Sequence, residues 1–596
     1  MRVPRTLLGA SCGAVYATWY SISPETMPSA TMAASCDAST SSSKASGSLP
    51  PRIVPSQPLQ ATAVSLSELR RWLQNRGANV TAIQFCSATA DSSYAGRFGI
   101  FANAHTRYLT TRGLFGKFKA LLGFNRGDVP IASFPLGATL TAPTIIQACC
   151  ATQGPVLKEL LEQDIIDERV AVILHLVVEK LRQRESPLRP WIALLPSKFN
   201  TPLFWNDNDL EWLKGTTLYK ATQIKKGMLQ DTWRRIEPVA RQLTVTEGLD
   251  AGSDSPTRPT YSHFLWAYSI FWSRAISIPI SSTIVLEGIV PGLDFANHSD
   301  TSKCRWTMSQ FSADGGRGGR GANMNNASAS PPFIQLVCPR GSTMPPGKEI
   351  TINYGNKSNE ELLYLYGFAQ EENKHDVLMV ACPLPPPSDW DETLHARVQL
   401  LRARGLSPQV FLPADHLYEA SEPRKSRGRK RGRRPGDVLF EKEIEGEVEG
   451  SVAELDLPHG VMETLEVFVM EKKDVLAELH SQGGGEIHPR GAAADRAAGE
   501  SRGRQSLSEI ESSGLRLALL TTLVRLLELK IRELEGSTGP LEADEKLLEQ
   551  AKMKLNAQQR AALIYRSGQK RLARQYLLYG NALLQQEMRH LKDLTA

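Results

Sequence analysis

Cysteine is scarce and scattered in this chain: Cys12, Cys36, Cys86, Cys149, Cys150, Cys304, Cys338 and Cys382, with no C-x-x-C or C-x-C pair. That spacing argues against a zinc cluster or a redox dithiol, so no metal is expected. It fits buried free thiols in a reducing compartment. No apolar run approaches the roughly 18 residues a membrane-spanning helix needs, so no membrane partner is expected. Acidic residues are almost missing from the first fifty positions, where Glu25 and Asp37 stand alone among Ser, Ala and Thr, behind Arg2 and Arg5. That is transit-peptide composition and implies a chloroplast address, with nucleus or cytoplasm as the alternative.

What is present is ordinary for a globular protein: 41% hydrophobic and 22% charged residues in a chain of 596, long enough for about two to four domains. The net charge of +6 is concentrated rather than spread. Eight of the eleven residues from Arg424 to Arg434 are basic, and the folded remainder is slightly acidic. Global charge therefore gives no support to nucleic-acid binding by the folded domains. The basic run reads as a solvated insertion, with a nuclear signal or phosphate-binding stretch as the alternative.

Proline at 50, 51, 55 and 58 marks a linker after the amino-terminal segment. Helical periodicity begins near Ser65, with Leu69, Trp72 and Leu73 on one face. A helical block is expected over 156–185, ending at Pro187, a strand over Ile131–Leu140, and a buried helix over Tyr261–Ile278. Phe333–Cys338 and Glu349–Asn353 read as strands joined by the Pro345-Pro346-Gly347 bend. Ser358-Asn359-Glu360-Glu361 is a capping box ahead of Leu362, Leu363, Leu365 and Tyr366. Strands mixed with helices without βαβ alternation predict an α+β fold, a β-rich region with an inserted helical subdomain. After about residue 376 the pattern becomes all-helical: Leu519, Leu523, Leu526, Leu527 and Ile531 share one helix face that ends at Gly536. The expected boundaries are 1–64 transit peptide and linker, 65–376 with a helical insert near 141–285, and 377–596 all-α with disordered insertions near 420–450 and 482–512. Residues 112–128 and 315–330 also read as insertions.

Four short segments carry the chemistry: Gly96-Arg97-Phe98-Gly99; Ser273-Arg274; Asp294-Phe295-Ala296-Asn297-His298-Ser299; and Ile352-Asn353-Tyr354-Gly355 leading into Tyr366-Gly367-Phe368. In this order they resemble the SET-domain protein methyltransferases, specifically the plant Rubisco large-subunit lysine methyltransferase-like subclass. Leu195–Pro202 and Glu211-Trp212-Leu213-Lys214-Gly215 agree with it. Leu457-Pro458, Asp544 and Tyr565-Arg566-Ser567-Gly568-Gln569-Lys570 look like that subclass's helical substrate-binding domain.

The resemblance implies a SET β-fold, S-adenosyl-L-methionine as cofactor, and a folded protein as partner, methylated on a lysine. Large-subunit Rubisco or a plastid aldolase is the substrate class it implies. It assigns catalysis to Tyr354, whose hydroxyl would orient amine and methyl. Cofactor binding falls to Gly96, Arg97, Phe98, Arg274, Asp294, Asn297, His298, Tyr354 and Phe368. In that scheme Arg274 pairs with the cofactor carboxylate or with Asp294, and Phe368 stacks on the adenine. Tyr366 and Trp306 would wall the substrate channel. The first loop departs from the family, which carries Glu-Gly-Leu/Phe-Gly where this chain has Gly96-Arg97-Phe98-Gly99. Two alternatives stay open: methylation of a histidine, and a non-catalytic module binding protein or nucleic acid.

Overall fold

The computed structural model describes residues 63–87, 98–111, 127–249, 252, 255–281, 283–309, 332–421, 457–482, 501–550 and 555–595. The amino-terminal segment, Gly96 and Arg97, residues 112–126 and 315–330, and the Arg424–Arg434 run lie outside the described residues. The chain divides into two compact units, Met1–Ser197 with Trp233–Tyr354, and Lys198–Thr232 with Gly355–Ala596. The helix Thr217–Thr246 contributes its first half to the second unit and the rest to the first.

The first unit is built on small antiparallel sheets. Strands β1 (Ile83–Ser87) and β2 (Phe98–Ala102) pair with Phe85 opposite Ile100. Strands β3 (Asp128–Pro135), β6 (Arg305–Met308) and β7 (Phe333–Pro339) form a sheet in the order β3-β7-β6. Strands β4 (Ile276–Pro279) and β5 (Val285–Gly288) make a separate ribbon. Buried Val129, Ile131, Phe134, Ile334, Leu336 and Cys338 give the three-stranded sheet its apolar face.

Several boundaries differ from those the sequence suggests. The expected strand to Leu140 stops at Pro135, after which Leu136–Ala138 turn as a 3-10 helix closed by Thr139. The helical block over 156–185 is two helices, Gln153–Glu162 and Glu168–Arg182. The break is at Asp164, with φ of 54°, and Asp167 caps the second helix through Val170 N. The buried helix ends at Arg274, and Ile276 onward is strand. Thr260 and His263 form a capping box at its start, and Phe264, Trp266, Ile270 and Phe271 are its buried face.

Residues 349–353 do not pair with β7 as a hairpin. After the Pro345-Pro346-Gly347 bend, Gly347 N donates to Ala102 O and Ile350 N to Ile100 O, so the chain runs beside β2. Ile352 N then donates to Asn297 O, and Ser299 N to Ile352 O, which makes a parallel bridge to His298. A bend led by two prolines lacks the donors of a tight hairpin and sends the chain to another partner.

Among the described residues, the second unit is helical with one exception. Strands β8 (Val377–Ala381) and β9 (Gln409–Pro413) form an antiparallel ribbon inside the region expected to be all-α. Both are alternating or apolar runs short enough to be read as helix from pattern alone. The helices Ser501–Gly536 and Ala557–Thr595 pack together. Their seam joins Leu519, Leu523, Leu526 and Leu527 to Leu572, Ala573, Tyr576 and Leu583. The first of these helices begins at Ser501, so residues 501–512 continue the helix rather than belonging to an insertion.

Candidate active site

In the first unit the site grows from the segment Leu293–Ser299, which follows Gly292 at φ of 97°. An added Cβ at Gly292 would sit 2.9 Å from both Leu73 and Phe134, so only glycine makes this turn. Asp294 lies behind it with its carboxylate wholly buried. It accepts from Gly292 N at 2.9 Å, from Trp191 Nε1 at 3.1 Å and from Arg274 Nη1 at 2.9 Å. Burial raises the Asp294 pKa, and the Arg274 cation and the Trp191 and Gly292 donors oppose that shift. Arg274 also donates to Asp294 O at 2.8 Å. Of the two roles expected for Arg274, this contact supplies the support of Asp294. Its Nε is buried without a hydrogen-bond partner among the described residues.

The next three residues meet Tyr354. The Tyr354 hydroxyl donates to Ala296 O at 2.7 Å, and Tyr354 N donates to His298 Nδ1 at 3.1 Å. The two rings lie 5.1 Å apart. On the far side His298 Nε2 is 2.8 Å from Asp300. Asn297 donates from Nδ2 to Glu349 Oε1 at 2.7 Å and, more weakly, to Phe98 O at 3.5 Å. Phe98 packs edge-on against Phe295, with centroids 6.4 Å apart. Phe98, Asn297, His298 and Tyr354 are thus brought together, with Asp294 and Arg274 immediately behind. Trp306 is half-buried on β6 opposite Leu336.

Tyr366 and Phe368 belong to the second unit, where their rings stand 6.3 Å apart. The capping box at Ser358 forms as expected, and Leu362–Tyr366 widens into a π-turn. Gly367 caps that turn at φ of 79°. Asn200 Nδ2 donates to Gly367 O at 2.8 Å, which ties residues 198–202 to this corner. Gly96 and Arg97 lie outside the described residues.

Three contributors escaped the sequence reading. A main-chain oxygen such as that of Ala296 leaves no trace in residue type. Glu349 is a common residue at an isolated bridge to Phe101, and Trp191 lies over a hundred residues from Asp294. Asn200 lay within a stretch already noted, but its partner could not be read.

Residues 389–572 match the family described as Rubisco LSMT substrate-binding. The chloroplastic [fructose-bisphosphate aldolase]-lysine N-methyltransferase of Arabidopsis thaliana is 28% identical over 217 residues, 36% of this chain and 40% of that protein. The actin-histidine N-methyltransferase of Xenopus tropicalis is 24% identical over 317 residues, 50% of this chain and 48% of that protein. The chain therefore spans less than half the length of either curated relative. Among solved structures, the SET domain of LSMT bound to lysine and AdoHcy superposes with a TM-score of 0.53 at 17% identity, covering 89% of this chain and 93% of that one. In fold the chain is similar to the SET domain of LSMT, and residues 389–572 match the Rubisco LSMT substrate-binding family.

Proposed function

We propose that the chain is an S-adenosylmethionine-dependent protein methyltransferase acting on a lysine of a non-histone protein. One observation carries this reading: Ala296, His298 and Tyr354 converge so that the tyrosine is fixed at both hydroxyl and main chain.

The residues present suit the donor. It brings a cationic sulfonium that makes its methyl electrophilic, together with an amino-acid end and an adenine. Arg274 keeps a buried Nε–H without a partner among the described residues, which suits an anionic end. Phe98 and Gly99, on β2, offer main chain to the amino-acid end, and Asn297 and His298 offer theirs to the adenine. A Tyr354 hydroxyl that gives its proton to Ala296 O keeps its oxygen lone pairs as acceptors. Carbonyl and hydroxyl oxygens are what a polarised methyl group favours.

A lysine amine must be neutral to attack, against a reference pKa of about 10.4. A nearby cation and partial desolvation both lower that value, so no strong base is required. Tyr354 then acts by orientation, fixed by the Ala296 and His298 contacts before any substrate arrives. Tyr366, Phe368 and Trp306 are proposed to contact substrate and adenine. The amino-terminal composition supports a plastid location, and Rubisco large subunit or aldolase as the substrate class.

Incubating the full chain with methyl-labelled S-adenosylmethionine and stromal protein tests this. Label on a lysine of one acceptor supports the proposal, and absence of transfer to any protein overturns it. A second reading, methylation of a histidine, is favoured by the longer match to the actin-histidine enzyme. Label recovered on an imidazole nitrogen would establish it instead.

A further inference from the structure

Two free cysteines that the proposed chemistry does not use face one another in the first unit. In the β6–β7 ladder Arg305 pairs with Val337 and Trp306 with Leu336. One position outward, the same register sets Cys304 opposite Cys338. Side chains alternate between the faces of a strand, so Cys304 shares a face with Trp306 and Met308, and Cys338 with Leu336 and Ile334. The Cys338 thiol donates to the Cys304 sulfur, which holds the Cys304 pKa below the usual thiol range, and Lys348 acts in the same direction against burial. That hydrogen bond, with burial, pushes the Cys338 pKa up. The pair is unequal: Cys304 is the readier thiolate, and Cys338 keeps its proton. Residues facing across antiparallel strands have Cα atoms about 4.5–5.5 Å apart, inside the span of about 4.4–6.8 Å that a disulfide bridges. Closure therefore needs no main-chain movement.

We propose that Cys304 and Cys338 are a redox-modification site, closed by a peroxide into a cross-strand disulfide. The Cys304 thiolate attacks one peroxide oxygen, the O–O bond breaks, and the departing hydroxide takes a proton to become water. Cys338 sulfur then attacks the Cys304 sulfenic acid, the S–O bond breaks, and the Cys338 proton leaves with the hydroxide as a second water. Both thiols are oxidised and the peroxide is reduced. Cys304 is 3% exposed, beside an outer strand of the β3-β7-β6 sheet, which restricts attack to a reagent as small as a peroxide. The pair also reaches toward the site. Ser302 Oγ accepts from Cys304 N at 3.2 Å and donates to Thr351 O at 2.5 Å, in the segment that leads to Tyr354. Closure thus fastens the start of the strand carrying Trp306 to β7, next to the contact that holds residues 351–354.

The test treats the reduced full chain with hydrogen peroxide, blocks the remaining thiols, and maps the peptides by mass without reduction. A peptide pair linked through Cys304 and Cys338, and lost after dithiothreitol, is the expected result. The buried lone thiol of Cys382 should stay free under the same treatment. Cys338→Ser should leave Cys304 as a sulfenic acid that dimedone traps, and Cys304→Ser should leave Cys338 reduced. The bond closes about thirty residues of chain, so peroxide should raise the melting temperature of the unmutated chain by about 5 °C. Both cysteines recovered as free thiols, or either one linked to another cysteine, overturns the proposal. A rise of equal size in Cys338→Ser overturns it as well. The mapping uses the unmutated chain, so the result stands even where a serine variant fails to fold.

Discussion

At the scale of single residues, the site depends on a tyrosine whose two polar ends have different partners. Tyr354→Phe removes the donor to Ala296 O but keeps the ring beside His298. The expected outcome is a fall in kcat of about 100-fold, the usual cost of losing one pre-positioned group. Donor affinity, measured by calorimetry, should change less than about threefold. Transfer that continues at the wild-type rate would remove Tyr354 from the chemistry. Asn297, His298 and Tyr354 were legible because short motifs carried them in a fixed order. The Ala296 carbonyl and Glu349 were not, since one is main chain and the other is a common residue whose partner lies 52 positions away.

At the scale of elements, local signals were legible and connections were not. The Ser358 capping box and the leucine face of the 501–536 helix are written in neighbouring residues, and both form. The route of residues 349–353 depends on partners at Ile100 and Asn297, and no local pattern encodes a choice between distant strands. Gly367 combines both kinds of information. Its φ of 79° is the expected cap conformation, but its fit depends on Asn200, whose carbonyl carbon and oxygen would each lie 2.6 Å from an added Cβ. Gly367→Ala should therefore destabilise the chain by about 2 kcal/mol or more, from left-handed backbone strain plus the clash. A wild-type melting temperature for this variant would contradict the packing described.

The same corner holds a titrating group. Asp376 is buried and accepts from Asn359 N and Val377 N. Glu360 and Gly568 lie near it, and burial pushes its pKa up to about 7. An exposed aspartate titrates near about 3.9, so between about pH 4 and 7 the folded chain keeps a proton that the unfolded chain has released. This group's contribution to stability thus falls as pH rises through that window and is constant above it. Asp376→Asn should narrow the loss: its melting temperature relative to wild type should rise between pH 5 and pH 8, by the equivalent of about 1–3 kcal/mol. A difference that does not vary with pH would mean that Asp376 stays ionised throughout.

At the scale of the whole molecule, the carboxy-terminal motif that resembled a substrate-binding signature is turned inward. Tyr565, Arg566 and Lys570 are buried, as is Asp544, whose carboxylate side chain is 0% exposed. Arg566 Nε donates to Asp544 Oδ2 at 2.9 Å and Lys570 Nζ to the same oxygen at 2.7 Å. Arg566 Nη1 also reaches Trp212 O at 2.8 Å, and Tyr565 OH meets Glu360 at 2.6 Å. Residues 198–232, distant in sequence, are thereby fastened to the last helix within one unit. These residues act by holding the second unit together. Asp544→Ala leaves two buried cations without a counter-ion and should cost about 3–5 kcal/mol. Adding Lys570→Met removes one of them and should recover part of that loss, although each change alone deletes a contact. Thermal melting of the two variants decides this: a double variant less stable than Asp544→Ala would mean that the Lys570 contact with Gly539 O outweighs the relief of its unpaired charge.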